Sequence, residues 1–315
     1  MEVLASPQLA TSYNRCPMCG LFGMNTLDHE DTEATRIAEP GSPAAPLPFQ
    51  VAGYQLGDFL GRGTMGNVHL AVDVLTGEVG AAKIVPLLEP LQRARFERTV
   101  AVRQEVSHPA ILPLWAKEQT STYGVLVSPL LHPESLRERI PRDGFEFDEV
   151  ADLLGPIAGA LDALHRSDWV HRVKPDNILL GGDQPYLVDY GLAKRHRSRL
   201  EDSGAFALAM NEETRPNAVC GSPLYMSGQR LQGKPARPGD DVYALALSLV
   251  ELLMGSVPGS SAGQTFLGLA RARVDCYIHL GPLPCPSALR KLLLAALGPR
   301  TRNRPSAGDF EALLS

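Results

Sequence analysis

The stretch Val170-His171-Arg172-Val173-Lys174-Pro175-Asp176-Asn177-Ile178-Leu179-Leu180 sets a polar, charged segment with one proline directly ahead of a short apolar run. A second apolar run, Tyr186 to Val188, follows Gly181-Gly182-Asp183, so the two runs read as a β-hairpin turning at the glycines. Val188 then leads into Asp189-Tyr190-Gly191. Upstream, Asp148 to Arg166 carries Val150, Leu153, Leu154, Ile157, Leu161 and Leu164 at helical spacing. Further helices are expected at Asp241 to Met254, Ser287 to Leu297 and Ala307 to Leu314. Everything beyond Leu131 therefore reads as helix-rich, with one embedded hairpin.

Before Leu131 the pattern changes. Strand-like stretches at Tyr54 to Phe59, Val68 to Val72, Gly80 to Val85 and Gly124 to Ser128 are separated by turn residues, with one charged helical stretch, Leu91 to Val106, among them. Gly61-Arg62-Gly63-Thr64-Met65-Gly66 lies between two of these strands. Glycines so spaced let a backbone turn tightly and approach phosphates without a Cβ in the way, although a plain hairpin turn uses them equally well. A dinucleotide-binding turn would require a helix next, whereas Val68-His69-Leu70-Ala71-Val72 is β-like. Seventeen residues after Gly66, Lys83 sits in the apolar strand Ala81 to Val85. A lysine there meets an anion, or it snorkels to water from an edge strand.

Composition bounds the rest. A chain of 315 residues with 44% hydrophobic content builds a substantial core, which excludes wholesale disorder. The net charge of −5 arises from interspersed charges, which disfavours nucleic acid or anionic lipid as partner. The N-terminus lacks the basic-then-apolar order of a secretory signal, and the apolar run Val242 to Met254 is too short and polar to cross a bilayer. Five cysteines, an odd number, do not resemble a disulfide framework, so a cytoplasmic protein is expected. No internal repeat is visible.

Taken in order, these segments resemble the protein kinase superfamily. Gly61 to Gly66 and Lys83 match the glycine-rich loop and its phosphate-holding lysine. His171 to Asn177 matches the catalytic loop, and Asp189-Tyr190-Gly191 the metal-binding segment with Tyr for Phe. Cys220-Gly221-Ser222-Pro223-Leu224-Tyr225-Met226, Asp241 to Ala246 and Arg304-Pro305-Ser306 are similar to later landmarks of the family. The nearest flavour is that of bacterial, Hanks-type serine/threonine kinases, from phrases such as His108-Pro109-Ala110-Ile111. The resemblance implies an α+β, two-lobed fold: a small β-rich lobe over 53–131, an α-helical lobe over 132–315, and residues 1–50 as a tail and linker. It further implies ATP with Mg²⁺ as cofactor. Leu60 and Val68 would roof the adenine with Ala81 above it, Gly61, Gly63 and Gly66 would cover the phosphates, and Leu131 would donate a hinge N–H. Ser128 would guard the back of the pocket, and Asn177 and Asp189 would hold the metal through oxygen ligands.

The chain departs from the pattern at three places. Family catalytic loops read His-Arg-Asp-x-Lys, but here Arg172 is followed by Val173 and Lys174, so the segment is one residue short and lacks the aspartate. That residue orients the attacking hydroxyl, and a positioned base contributes roughly 10²- to 10⁴-fold in rate. Of the usual catalytic pair only Lys174 remains, with Asp176 a conceivable substitute. Thr99 falls where the lysine's glutamate partner belongs, unless the helix turns to offer Glu97, and Ser227-Gly228-Gln229 replaces Ala-Pro-Glu. Gln229 would still be able to bond Arg304.

The reading is a nucleotide-binding pseudokinase that regulates or scaffolds a protein partner. Its alternatives are a weak, atypical ATP-dependent kinase, or a zinc-linked adaptor. The exposed loop from Lys194 to Val219 is a phosphorylation candidate with Arg172 as partner, or simply a long loop. Cys16-Pro17-Met18-Cys19-Gly20 has the spacing of half a zinc ribbon, with His29 the only nearby third ligand. The alternative is a reduced tail without metal.

Overall fold

The computed structural model describes residues 50–63, 65–131, 134–182, 184–196, 223–258, 280–281 and 283–315. The first part is an antiparallel six-stranded sheet in the order β1-β2-β3-β4-β6-β5. Its strands are β1 (Gln50–Val51), β2 (Tyr54–Gly63), β3 (Gly66–Asp73), β4 (Val79–Pro86), β5 (Ala116–Gln119) and β6 (Tyr123–Pro129). Side chains alternate across it. Ile84, Val125 and Val127 join Val51, Tyr54, Ala71 and Ala82 in one cluster, while Val85 and Leu126 face the other way and bury Phe96 and Val100 of α1 (Pro90–Glu105). The helix starts where Pro90 fixes the first turn and Gln92 accepts from the Glu89 N–H.

The second part is helical and shares one large core. α2 (Leu136–Arg139) and α3 (Phe147–Arg166) precede β7 (Trp169–Val170) and the hairpin of β8 (Ile178–Gly181) and β9 (Gln184–Leu187). The hairpin pairs Ile178 with Leu187, as the alternation of its residues predicts. β10 (Lys194–Arg195) pairs with β7. Then come α4 (Gly228–Leu231), α5 (Pro238–Met254), α6 (Ser287–Leu297) and α7 (Ala307–Leu314). α5 runs through the middle of this core, with every residue from Asp240 to Leu253 buried. The lone proline of α3, Pro156, does not end that helix.

The mixed organisation expected from the sequence is the one observed. β1, β7 and β10 are two residues long and β5 carries one apolar residue, too little for any of them to show in the pattern. No helix among the described residues is long and apolar enough to cross a membrane.

Candidate functional site

The catalytic-loop segment hangs from α5. Asp241, 2% exposed in its side chain, accepts from the His171 N–H at 2.8 Å and pairs with His165 at 2.9 Å. His171 in turn places Nε2 3.2 Å from the carbonyl oxygens of both Val188 and Asp189. Two carbonyl acceptors require Nε2 to carry the proton, and Nδ1 is buried without a partner. Burial pushes the His171 pKa down and Arg172 adds to this, against the pull of Asp241 and Asp189. The imidazole is therefore a neutral strut that fixes the backbone at Asp189, a residue held at φ +65°. Tyr190 packs edge-on against the same ring, at 5.2 Å between centroids.

Asn177 and Asp189 are brought together by this scaffold, since the Val188 N–H donates to the Asn177 carbonyl at 2.9 Å. The Asn177 side-chain N–H₂ donates to the Arg172 carbonyl at 3.4 Å, which leaves Oδ1 as an acceptor. An amide oxygen beside a carboxylate is the donor chemistry that a hard divalent cation takes. Val173 is fully buried in the helical core, so its side chain fills the interior and nothing projects from it into the cleft. Asp176 is engaged elsewhere. Its carboxylate lies 3.2 Å from Arg137 of α2, and Arg137 also binds Glu251 and the Tyr225 hydroxyl. Burial lowers the Arg137 pKa, yet Glu251, Tyr225 and Asp176 together more than offset it and the net direction is up.

Lys83 sits on β4, an interior strand, which removes the edge-strand alternative. Register pairs it with Val68 and Leu126, and Ala81 with Ser128, so all five side chains share the α1 face of the sheet. Among the described residues no carboxylate stands within ion-pair distance of Lys83. Thr99 is buried and its hydroxyl donates to the Arg95 carbonyl at 2.9 Å. Glu97 is exposed, so α1 does not turn to offer it. Glu105 is taken by Trp169 at 3.0 Å and Arg195 at 2.6 Å. Burial holds the Lys83 ammonium below the usual lysine range; Asp189 counteracts and Arg103, a smaller influence, adds to the lowering.

Arg103 is the functional residue that sequence reasoning missed. It lies one turn after Thr99 on the same helix face. Its guanidinium donates to Ser128 Oγ at 2.7 Å and to the Leu112 carbonyl at 2.9 Å, closing the back of the cleft with a positive charge. Burial lowers its pKa to about 10, against the pull of Tyr190. An arginine four residues from an expected ion-pair position was the available signal. On the open side, Leu60 is 42% exposed and Leu130 45%, while Val68, Ala81 and Leu131 are half-buried. Apolar side chains left wet around a cleft are what a flat aromatic ligand covers.

Gln229 accepts from Arg304 at 3.1 Å. Arg304 also donates to the Gly239 and Gly298 carbonyls and stacks on Tyr243 at 5.0 Å. Cys16, Cys19 and His29, and most of the 194–219 loop, lie outside the described residues. Among those described, no cluster of three metal-ligating side chains exists.

A lysine, an asparagine and an aspartate converging under a glycine turn, between a sheet lobe and a helical lobe, are the parts of a protein kinase cleft. The chain belongs to the protein kinase domain family, whose model matches residues 54–309. It is similar to the probable serine/threonine-protein kinase PknB of Lactococcus lactis, at 28% identity over 83% of this chain and 41% of that one. It is also similar to the serine/threonine-protein kinase PrkC of Bacillus subtilis, at 28% over 82% and 39%. A third relative is the serine/threonine-protein kinase PknD of Mycobacterium tuberculosis, at 30% over 79% and 36%. The chain thus spans about two fifths of the length of these relatives.

Proposed function

We propose that the chain is a pseudokinase that binds a nucleotide and passes its occupancy to a protein partner in the cytoplasm. The observation that carries this reading is Val173, buried immediately after Arg172 where the family places an aspartate. Without an acceptor there, a substrate hydroxyl has no side chain to orient it. Asp176 does not replace it, because Arg137 holds that carboxylate. Lys83 and the glycine turn would hold the phosphates, Asn177 and Asp189 the Mg²⁺, and Leu60, Val68, Ala81 and Leu131 the base. The metal supplies neutralisation of the phosphate charge when bound.

A weak kinase is the second reading. It is favoured by the retention of Lys83, Lys174, Asn177 and Asp189, because phosphoryl transfer relies on positioning and electrostatics more than on covalent help. Binding of Mg-ATP and transfer of labelled γ-phosphate, measured side by side, separate the two. The pseudokinase reading expects binding that Lys83→Ala abolishes, and no transfer above that of the Lys83→Ala protein. Transfer that depends on Lys83 overturns it in favour of the second reading.

A further inference from the structure

Gly63 and Met65 of the glycine turn lie against groups that the turn is expected to cover. Met65, at its tip, packs against the cluster of Val85, Leu87, Phe96, Val100 and Leu126 on the inner side of α1. The same side chain also reaches across the cleft. A Cβ built on Gly191 would stand 2.9 Å from Met65 Sδ and 3.3 Å from Cε, so the thioether lies directly on the Gly191 backbone. Gly66 is pressed against β4, where a Cβ would fall 2.0 Å from the Ile84 carbonyl oxygen. At Gly63 a Cβ would stand 3.6 Å from both Cε and Nζ of Lys83.

Gly63 therefore lies close over Lys83, and Met65 lies on Gly191. A phosphoryl group held between Lys83 and the turn needs an N···O contact of about 2.7–2.9 Å on the lysine side and comparable contacts to loop amides on the other. No such gap exists. Nor does α1 offer Lys83 a carboxylate, because Thr99 stands there and donates its hydroxyl to the Arg95 carbonyl. What holds the turn down is apolar: a flexible, unbranched thioether suited to filling an irregular gap.

We propose that Met65 is a displaceable plug of the nucleotide site, so that nucleotide binds only by lifting Met65 from the α1 cluster and from Gly191. The inference rests on the reading that the chain binds nucleotide. It makes the intrinsic affinity weaker than the site's phosphate and base contacts would give, by the share of the population in which Met65 is seated. Because Met65 touches both α1 and Gly191, its release loosens a link between the helix and the 189–192 segment, which Arg98 also ties through the Gly191 carbonyl at 2.9 Å.

The test compares the wild type, Met65→Ser, Met65→Leu and Lys83→Ala as full chains, by calorimetric titration with Mg-ATP. Methyl-labelled methionine adds a direct view of the plug by NMR. Met65→Ser is expected to bind about five- to tenfold more tightly, the size of losing a half-buried methionine contact, while Met65→Leu stays within about twofold of wild type. A Met65 methyl to Gly191 Hα contact is expected in the free protein and is lost at saturation. Unchanged or weaker binding by Met65→Ser, absence of that contact in the free protein, or its persistence at saturation overturns the plug. If wild type binds, Lys83→Ala does not and Met65→Ser matches wild type, the plug alone falls. If neither wild type nor Met65→Ser binds, the nucleotide-binding reading falls and takes the plug with it. Should Met65→Ser fail to fold, the methyl contact in the wild type decides.

Discussion

Asn177 donates its side-chain amide to the carbonyl oxygen of Arg172, 3.4 Å away, and this bond closes the His171 to Asn177 loop. Val173, directly after Arg172, is buried. His171 keeps its grip on Asp189, and Asn177 keeps an oxygen available for a cation. Reinserting Asp between Arg172 and Val173 restores the length but not the α1 carboxylate, since Thr99 remains. The insertion variant is therefore expected to bind Mg-ATP like the wild type and to transfer phosphate no faster than it, measured by labelled γ-phosphate incorporation.

Lys83 is expected to be unusually reactive as an amine. Its pKa is pushed down by burial against the pull of Asp189, with Arg103 adding a smaller push, so more of it is deprotonated at pH 8.5 than of an ordinary lysine near 10.4. Treatment with an acylating reagent over a range of pH, read by peptide mass spectrometry, should bring the labelling of Lys83 to its plateau at a lower pH than that of exposed lysines such as Lys117. Arg103→Leu removes one of the two lowering influences and should slow the labelling. Faster labelling in Arg103→Leu would contradict the electrostatic account.

Acid should destabilise the domain through His171. With its folded pKa depressed, the native state binds fewer protons than the unfolded state, which takes one up near pH 6.5. Stability present above that value is then lost as pH falls through the window below it. Protonation would also put a second N–H on the buried Nδ1, which has no acceptor. Thermal melts between pH 7.5 and 5 should show a smaller loss for His171→Gln, which keeps an N–H for the two carbonyls but does not titrate.

The Arg137–Glu251–Tyr225 group is expected to be worth more to stability than its partly exposed arginine suggests. Arg137→Ala leaves Glu251, 7% exposed in its side chain, as an uncompensated buried charge. The loss should lie near the low end of roughly 3–5 kcal/mol for breaking a buried pair, because Arg137 is one-third exposed. Adding Glu251→Gln to Arg137→Ala should recover part of it. Denaturant unfolding of the two variants checks the order.

Arg304 is expected to act similarly where the carboxylate of the usual anchor is missing. Its side chain is 1% exposed and serves Gln229, Asp240 and two backbone carbonyls. Arg304→Lys keeps the charge but forfeits the planar fork, so it should be intermediate between wild type and Arg304→Ala in chemical denaturation.

Much of this was legible in the chain itself. Hydrophobic spacing placed α3, α5 and the 178–187 hairpin, because elements that bury one face must repeat with the period of that face. The ordered landmarks from Gly61 to Ser306 pointed to the family without any coordinates, and the lack of an acidic residue between Arg172 and Lys174 is read from the chain itself. What the tertiary structure alone decided were relations between segments far apart in sequence. Asp176 is held by Arg137, 39 residues away, and Glu105 by Arg195, 90 residues away. Arg103 lies behind Ser128, and Met65 reaches Gly191. Periodicity reports which face of an element is apolar, but which charge meets which partner depends on how two lobes close on one another. The lack of an acidic residue between Arg172 and Lys174 was thus written in the sequence, while the seating of Met65 on Gly191 arises only from packing.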